Sequence, residues 1–305
     1  MDRGNRWTSI TVGTYMYKRA VALAVVLWFI AGCGAAAPDG SSGQPTDASA
    51  AAQAAGFDPV ALIGSWRLTA PGEQPDAILR IAAEGYFLTL WRSCGVQPGS
   101  WRADHVGLFV AQLDGDGGCP APHGADATPG WLRRATAFRI DGVDRVLLDA
   151  SGVQVARLVP GGHPTPIPAN VAPAWAEPPV VTDAARRELA PAAPLPPGLV
   201  PASRDVLDRR WVPADSGRDG PKGPFVELHR DGRWHGSDGC NDVAGRWTTG
   251  PSGVMLATAG PTTEIGCANI LVGEWLARTR QAGLDREVLV LMDARGTELG
   301  RLRPI

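Results

Sequence analysis

Two stretches of the chain show the same order of apolar and polar positions. In each stretch, short apolar segments alternate with turns such as Glu84-Gly85 or Asp231-Gly232. Apolar segments joined by such turns predict antiparallel strands. A helical pattern follows in both stretches, and another apolar hairpin closes each of them. The pattern therefore predicts an α+β fold, in which a curved antiparallel sheet packs on one helix, twice over.

The two predicted helices each have one apolar face. Thr128 and Pro129 are a favourable start for the first helix, because Thr can cap a helix and Pro suits its first turn. The apolar face of this helix consists of Trp131, Leu132, Ala135 and Phe138. The face of the second helix consists of Leu271, Val272, Trp275, Leu276 and Thr279, with Gly283 as its predicted end. We expect the tryptophans in the cores rather than at a ligand-binding surface.

Short motifs recur along the chain at an offset of 144 to 148 positions. Gly99-Ser100-Trp101 matches Gly245-Arg246-Trp247, and residues 148–152 match residues 292–296. We interpret this recurrence as a tandem repeat. The predicted domains cover residues 57–162 and 201–305.

Two segments have the composition of connections. Residues 34–56 are rich in Ala, Gly, Ser and Pro, which predicts a flexible tether. Residues 160–201 contain 12 prolines in 42 positions, too many for the interior of a helix or a sheet. We predict a linker over residues 163–200, partly extended, with one or two helical turns between Thr182 and Leu189.

An apolar run, Ala20–Ile30, follows Lys18-Arg19 near the start of the chain. Its 11 residues are too few to span a bilayer as a helix, which needs about 20. The run leads into Ile30-Ala31-Gly32-Cys33, which resembles the signal peptide of bacterial lipoproteins. The resemblance implies a signal peptide over residues 1–33 that ends at the lipidated cysteine. Cleavage occurs before Cys33, and Cys33 then carries the lipid (palmitate and related acyl chains).

The predicted location of the protein is therefore the extracytoplasmic face of the cell membrane, held there by the lipid. An ordinary secretory signal with an incidental cysteine is the alternative. Translation from Met1 or from Met16 would export the same mature protein.

Charge and composition exclude one class of partner. The chain has 305 residues, of which 44% are hydrophobic and 20% charged, a composition typical of globular domains. Residues 201–305 contain 14 basic and 14 acidic side chains, and residues 57–162 contain 9 and 11. Neither region has the basic excess of a nucleic-acid-binding domain, so we predict no nucleic-acid partner.

Four cysteines other than Cys33 form two matching pairs. Cys94 and Cys119 are 25 positions apart, and Cys240 and Cys267 are 27 apart. An even number in each exported domain predicts one disulfide per domain, each stabilising its domain by about 3 kcal/mol.

A metal site is the competing interpretation of these cysteines. Cys119 and His123 are spaced like zinc ligands, but a structural zinc site needs four ligands, and the second stretch has no matching histidine. A thiol-redox role would need a Cys-x-x-Cys pair, which the sequence lacks. We predict neither a metal nor a cofactor.

A possible catalytic set occurs in the second stretch only. His235, Ser237 and Asp238 lie close together, and residues 235 and 237 would share a strand face. A hydrolase would also need an orienting group and an oxyanion hole. The matching positions of the first stretch are Thr89, Trp91 and Arg92. We therefore predict no catalytic residues, and keep a hydrolase that uses His235 and Ser237 as an alternative.

The order of motifs in the second stretch resembles the META/HslJ domain. The matching elements are Asp238-Gly239-Cys240-Asn241, Gly245-Arg246-Trp247, residues 263–267 and the closing hairpin at residues 293–296. The resemblance covers residues 205–304. The first stretch departs from the pattern, with Ser93-Cys94-Gly95 in place of Gly-Cys-Asn. We interpret it as a diverged member of the same family.

The resemblance implies an envelope-associated or secreted bacterial protein linked to stress and antibiotic tolerance. It implies no catalytic activity, no cofactor and no active-site residues. The turn of Gly239, Cys240 and Asn241 is explained structurally by an unusual glycine dihedral, a disulfide and backbone hydrogen bonds. The working hypothesis is a lipid-anchored protein with a non-enzymatic binding or envelope-maintenance role, whose envelope ligand or protein partner is unknown. An inhibitor of an extracellular hydrolase, such as a lysozyme or a protease, is the alternative.

Overall fold

The computed structural model describes residues 56–115, 117–119, 127–165, 171–215, 223–263, 265–266 and 270–305. The predicted leader with Cys33, almost all of the predicted tether, His123 and Cys267 lie outside the described residues. The described residues fall into one compact unit, so the predicted division into two domains is not confirmed.

The first of the two sheets has eight antiparallel strands. Strands β1 to β8 span Gly64–Thr69, Ile78–Ile81, Phe87–Arg92, Gly95–Ala103, Phe109–Leu113, Ala137–Asp141, Asp144–Leu148 and Gln154–Pro160. Their order in the sheet is β5-β4-β3-β2-β1-β8-β7-β6. A bridge between Leu108 and Ala137 joins the β5 edge to the β6 edge, so this sheet is nearly barrel-shaped.

The second sheet repeats this strand order and adds one short strand. Strands β9 to β17 span Val200–Pro201, Arg210–Pro213, Phe225–Leu228, Arg233–Ser237, Asp242–Thr249, Met255–Ala257, Gln281–Asp285, Val288–Met292 and Glu298–Pro304. Their order is β14-β13-β12-β11-β10-β17-β16-β15-β9. A bridge between Val254 and Gln281 corresponds to the bridge in the first sheet.

The helices are short. Helices α1 to α4 span Gly130–Arg134, Asp183–Glu188, Arg204–Leu207 and Val272–Arg278. The fold is therefore mostly antiparallel sheet with few helices, and the helical part of the predicted α+β class is smaller than expected. None of the helices in the described part of the chain is long and apolar enough to cross a membrane.

Both predicted core helices end earlier than expected. The hydroxyl of Thr128 does not cap α1, because it accepts a hydrogen bond from the Leu113 backbone N–H at 3.0 Å. Phe138 lies in β6 rather than in the helix, and Gly283 lies in β15 rather than at a helix end. The reason is that β6 and β15 pair with β7 and β16, so the closing hairpins recruit residues whose spacing also suits a helix.

The tryptophans that match between the two stretches lie in the cores or pack against them, as predicted. Trp66, Trp101 and Trp131 are at most 5% exposed, and Trp211 and Trp247 are each 1% exposed. Trp275 packs partly buried against the second core. The indoles of Trp66 and Trp211, at equivalent positions, each donate to the backbone carbonyl four residues earlier, that of Leu62 and that of Leu207. These bonds satisfy the polar atom that burial would otherwise leave unpaired.

The proline-rich segment is more than a spacer. Helix α2 forms where one or two turns were predicted, and the Thr182 hydroxyl caps it by accepting from the Ala185 N–H. Ala185 and Leu189 belong to the core of the first sheet. Strand β9 at the end of the segment pairs with β15 of the second sheet. The described part of the segment therefore packs against both sheets.

The predicted disulfide between Cys94 and Cys119 is confirmed. It links the turn between β3 and β4 to the loop that follows β5. The bridge between Cys240 and Cys267 stays a prediction, because Cys267 lies outside the described residues.

The two sheets contact each other through side chains as well as through the connecting segment. The Thr258 hydroxyl donates to the Gln112 side-chain carbonyl at 2.8 Å in a fully buried position. Arg102 donates to the Ala277 carbonyl at 3.1 Å, and Arg246 donates to the Arg133 carbonyl at 2.7 Å. These hydrogen bonds fix the surfaces where the sheets meet.

Candidate binding site

The Gly-Cys-Asn turn follows β12 and is built around the carboxylate of Asp238. One oxygen of this carboxylate accepts from the backbone N–H of Cys240 at 2.8 Å and from that of Asn241 at 2.6 Å. Gly239 between them has a φ of +105°, which a residue with a side chain rarely adopts. The predicted unusual glycine dihedral is therefore confirmed.

The Asn241 side chain ties this turn to a distant loop. Its amide nitrogen donates to Asp238 and to the Ile265 carbonyl, both at 3.0 Å. Its oxygen accepts from the Thr263 hydroxyl at 2.6 Å and from the Ile265 N–H at 2.8 Å. The amide has two donors and two lone pairs, and all four are used. The motif therefore has a structural role, and it reaches well beyond its local backbone.

The structure does not bring His235 and Ser237 together as a nucleophile and its base. Ser237 is fully buried, and its hydroxyl accepts from the Gly239 N–H at 3.2 Å. The His235 side chain is 48% exposed and contacts His229 and Glu227 instead. Asp238, the third residue of the set, is used in the turn.

A cleft of about 380 Å³ lies where the two sheets meet, and two histidines form one of its walls. We call it the histidine cleft. Its lining combines β5 of the first sheet with β12 and β13 of the second. The residues that matter most for its chemistry are Gln112, Asp114, His229, Arg233, His235 and Arg246.

The histidine wall is a product of the hairpin between β11 and β12. Gly232, with a φ of +82°, makes the turn, and the Gly232 N–H donates to the His229 carbonyl. The rings of His229 and His235 are stacked, with centroids 5.3 Å apart and an interplanar angle of 11°. Their nearest nitrogens are 3.2 Å apart. Phe225 packs edge-on against His235, with centroids 5.6 Å apart.

The opposite wall comes from β5 and is held by a chain of hydrogen bonds. Buried Thr258 donates to Gln112, and the amide of Gln112 donates to the Asp114 carboxylate at 2.8 Å. Burial raises the pKa of the Asp114 carboxyl above its ordinary value, although the bond from Gln112 acts in the opposite direction. Asp114 therefore holds its proton more tightly than an exposed aspartate does.

Two glycines at the cleft have close neighbours, one within the second sheet and one across to the first sheet. A Cβ on Gly245 would lie 2.0 Å from the Thr258 carbonyl oxygen. A Cβ on Gly260 would lie 2.8 Å from the Gln112 amide nitrogen. Both distances are shorter than real Cβ contacts, so a larger residue would displace the Thr258 backbone at Gly245 or the Gln112 side chain at Gly260.

The cleft presents groups suited to binding a polar ligand. The stacked imidazoles offer a flat face, Arg233 carries a charge beside its partner Asp231, and Asp114 offers a carboxyl group. Recognition of a polar ligand commonly combines such a face with a few fixed hydrogen-bonding groups. Within the described ranges, no three His, Cys, Asp or Glu side chains are grouped so that they could hold a metal ion.

Sequence reasoning singled out His235 but missed most of this cleft. The predicted hairpin with its Asp-Gly turn was a usable signal for His229, because such a hairpin brings positions 229 and 235 close together. Gln112 and Asp114 had no comparable signal. Their place in the cleft depends on how the two sheets pack, which short sequence motifs do not encode.

Comparison with known protein families finds a META domain at residues 205–304. This range contains the whole second sheet except β9. No curated protein and no solved structure matches the chain.

Proposed function

Starting from the META domain at residues 205–304, we propose that the chain is a lipid-anchored extracytoplasmic protein that binds an envelope ligand without catalysing a reaction. The lipid is attached to Cys33, after removal of the preceding leader. The ligand occupies the histidine cleft. The role of the protein is maintenance of the envelope or its tolerance of stress.

The main observation that supports the binding role is that residues of both sheets form the histidine cleft. Both sheets line it, and the buried bond between Thr258 and Gln112 joins its walls at 2.8 Å. A site held in this way needs little ordering when the ligand arrives, and ordering is one of the main costs of binding. The cleft is therefore suited to recognition.

The non-enzymatic part of the proposal is supported by the positions of the candidate catalytic groups. The hydroxyl of Ser237 faces the backbone of its own turn, and the ring of His235 contacts His229. Nucleophilic catalysis by serine needs a histidine within hydrogen-bonding reach of the hydroxyl. The exposed imidazole of His235 and the partly buried one of His229 line the cleft and are better placed to contact a ligand.

We further propose that the first sheet is a diverged META-like copy of the second. The strand order is the same in both sheets, apart from the added β9. Gly99 and Gly245, which precede the matched tryptophans, both sit where a Cβ would meet a backbone carbonyl oxygen, at 2.1 Å and 2.0 Å. The shared motif therefore has the same packing role in both sheets, which supports a tandem duplication.

The experiment that tests the binding role is capture of envelope components by the full-length chain. The wild type is compared with the double variant His229→Ala/His235→Ala and with His163→Ala, which removes an exposed histidine outside the histidine cleft. We expect a component that the wild type and His163→Ala retain and the double variant loses. Capture of nothing by the wild type, or equal capture by the double variant, would overturn the proposal.

A further inference from the structure

A second cleft, of about 680 Å³, is surrounded by arginines. We call it the arginine cleft. It lies between β4 of the first sheet, helix α2 and the start of β15 in the second sheet. Its lining contains five arginines but only two carboxylates. These charged residues are Arg102, Arg187, Arg278, Arg280, Arg295, Glu188 and Asp293.

Arg280 is the most unusual of these residues, because it is almost fully buried while its guanidinium group forms no hydrogen bond or ion pair with the described residues. The residue is only 4% exposed. Its backbone is paired, with its N–H donating to the Met292 carbonyl at 2.9 Å. Among the described residues, however, none accepts a hydrogen bond or forms an ion pair with its guanidinium group. None of its side-chain nitrogens is among the fully buried polar atoms that lack a partner, so the guanidinium opens into the cleft, where a bound anion would pair with it.

Arg102 lies beside Arg280 and has spare hydrogen-bonding capacity. Its guanidinium stacks on the Tyr86 ring at 3.6 Å from the centroid. It donates to the carbonyls of Ala277 and Trp101, while its Nη2 makes no hydrogen bond with the described residues. Burial, with a smaller effect from the charge of Arg280, lowers the pKa of Arg102 to about 10. Arg102 therefore remains cationic at neutral pH, and the charge of Arg280 repels it.

The nearby carboxylates leave much of this positive charge unbalanced. The Asp293 carboxylate accepts from the backbone N–H groups of Arg295 and Thr297 in its own turn. Asp104, which attracts Arg280, is bound to the N–H groups of Val106 and Leu108. Burial raises the pKa of the Asp104 carboxyl above its ordinary value, while its backbone hydrogen bonds and the charge of Arg280 act in the opposite direction. Glu188 is exposed at the rim near Tyr86.

We propose that the arginine cleft binds a phosphoryl group, with Arg102 and Arg280 as the buried contacts and Arg187, Arg278 and Arg295 at the rim. A guanidinium group matches the oxygens of a phosphate in a two-point contact, and the negative charge of the phosphate reduces the repulsion between the two cations. A soluble phosphate ester and a phospholipid headgroup share this chemistry. The inference goes beyond the proposed function, because neither Cys33 nor the histidine cleft enters it.

The first test is calorimetric titration of the full-length chain, in a nonionic detergent, with inorganic phosphate and with glycerol 3-phosphate. Arg280→Gln should weaken binding at least about tenfold, because a charge-assisted hydrogen bond is lost. Arg303→Gln changes an exposed arginine on β17 that does not line the cleft, and it should bind like the wild type. The absence of binding by the wild type, or equal binding by Arg280→Gln, would overturn the proposal.

Thermal unfolding separates a ligand-binding arginine from a structural one. In phosphate-free buffer, Arg280→Gln should unfold at the same temperature as the wild type or at a higher one, because an unpaired buried charge is removed. Added phosphate should raise the unfolding temperature of the wild type but not that of the variant. A variant that is destabilised and still fully protected by phosphate would show that Arg280 is structural.

The source of the phosphoryl group is distinguished by the detergent. Micelles doped with phosphatidylglycerol are compared with micelles doped with phosphatidylcholine, which carries no net charge. Stronger protection by phosphatidylglycerol than by glycerol 3-phosphate would identify a lipid headgroup, and the reverse would identify a soluble ester. If either ligand raises the unfolding temperature of Arg280→Gln as much as that of the wild type, the arginine cleft is not the binding site.

Discussion

At the scale of single residues, buried polar side chains determine how loops are attached to the sheets. The Glu73 side chain is only 2% exposed and lies in the loop between β1 and β2. It accepts from Arg92 through both oxygens, at 2.8 Å and 2.6 Å, and from the Trp131 indole at 3.0 Å. One carboxylate thus connects this loop to the end of β3 and to helix α1.

Replacing Glu73 with Gln should destabilise the protein by about 3 kcal/mol at neutral pH, because it leaves a largely buried arginine without its counter-charge. Urea denaturation measures this free energy. Glu274→Gln is the matched control, since Glu274 pairs with Arg278 on the exposed surface of a helix, and should cost less than about 0.5 kcal/mol. Equal losses for both variants would contradict this role of Glu73.

The same residue should make stability depend on acid. Burial raises the pKa of Glu73, but the hydrogen bonds from Arg92, Trp131 and the Gln74 N–H together hold it below its ordinary value of 4.5. A carboxyl whose folded pKa is lowered stabilises the fold above the unfolded pKa, and that stability is lost as the pH falls through the folded pKa. The difference between wild type and Glu73→Gln should therefore shrink in acid below pH 4.5. A difference that does not change with pH would contradict the assignment.

At the scale of elements, one glycine in each sheet allows a close backbone approach. Gly99 in β4 and Gly245 in β13 have no room for a Cβ, which would meet the carbonyl oxygens of Gln112 and Thr258. Gly99→Ala and Gly245→Ala should each cost about 1–3 kcal/mol by overpacking. Gly115→Ala is the control, because nothing lies within 4 Å of its added Cβ. If both core variants unfold at the same denaturant concentration as the wild type, the backbone adjusts to the added Cβ and this prediction is wrong.

The strands and the tryptophan core could be predicted from the sequence, because the alternation of apolar and polar residues and the turn residues determine local structure. The ends of the helices could not, since the residues after 136 and after 280 satisfy both a helical spacing and a strand pairing. Pairing with β7 and β16 decides between these alternatives, and it is a tertiary effect. The sequence shows that Gly-x-Trp recurs, but it does not show why. The reason is that a backbone carbonyl from a neighbouring segment lies where the Cβ of a larger residue would be.

At the scale of the whole molecule, the two sheets form one body. Hydrogen bonds cross between them at Gln112, at Arg102 and at Arg246, and the described part of the proline-rich segment packs against both. We expect a single calorimetric unfolding transition whose calorimetric and van't Hoff enthalpies agree. Two separate transitions would show that the sheets unfold as the two domains that the sequence predicted.

Both candidate sites also belong to this scale, which explains why sequence motifs missed them. Arg102 and Arg280 are 178 positions apart, and Gln112 and His229 are 117 apart. None of the four lies in a motif with a known chemical role. They come together only because the two sheets contact each other at these points.

The central claim, a membrane-anchored binding protein, is tested most directly by mass spectrometry of the chain extracted from its native membranes. The account predicts that the mature protein begins at Cys33, that this cysteine carries acyl chains, and that no peptides from residues 1–32 remain. Recovery of the unprocessed leader joined to an unmodified Cys33 would contradict the anchor and the location that the proposed function requires.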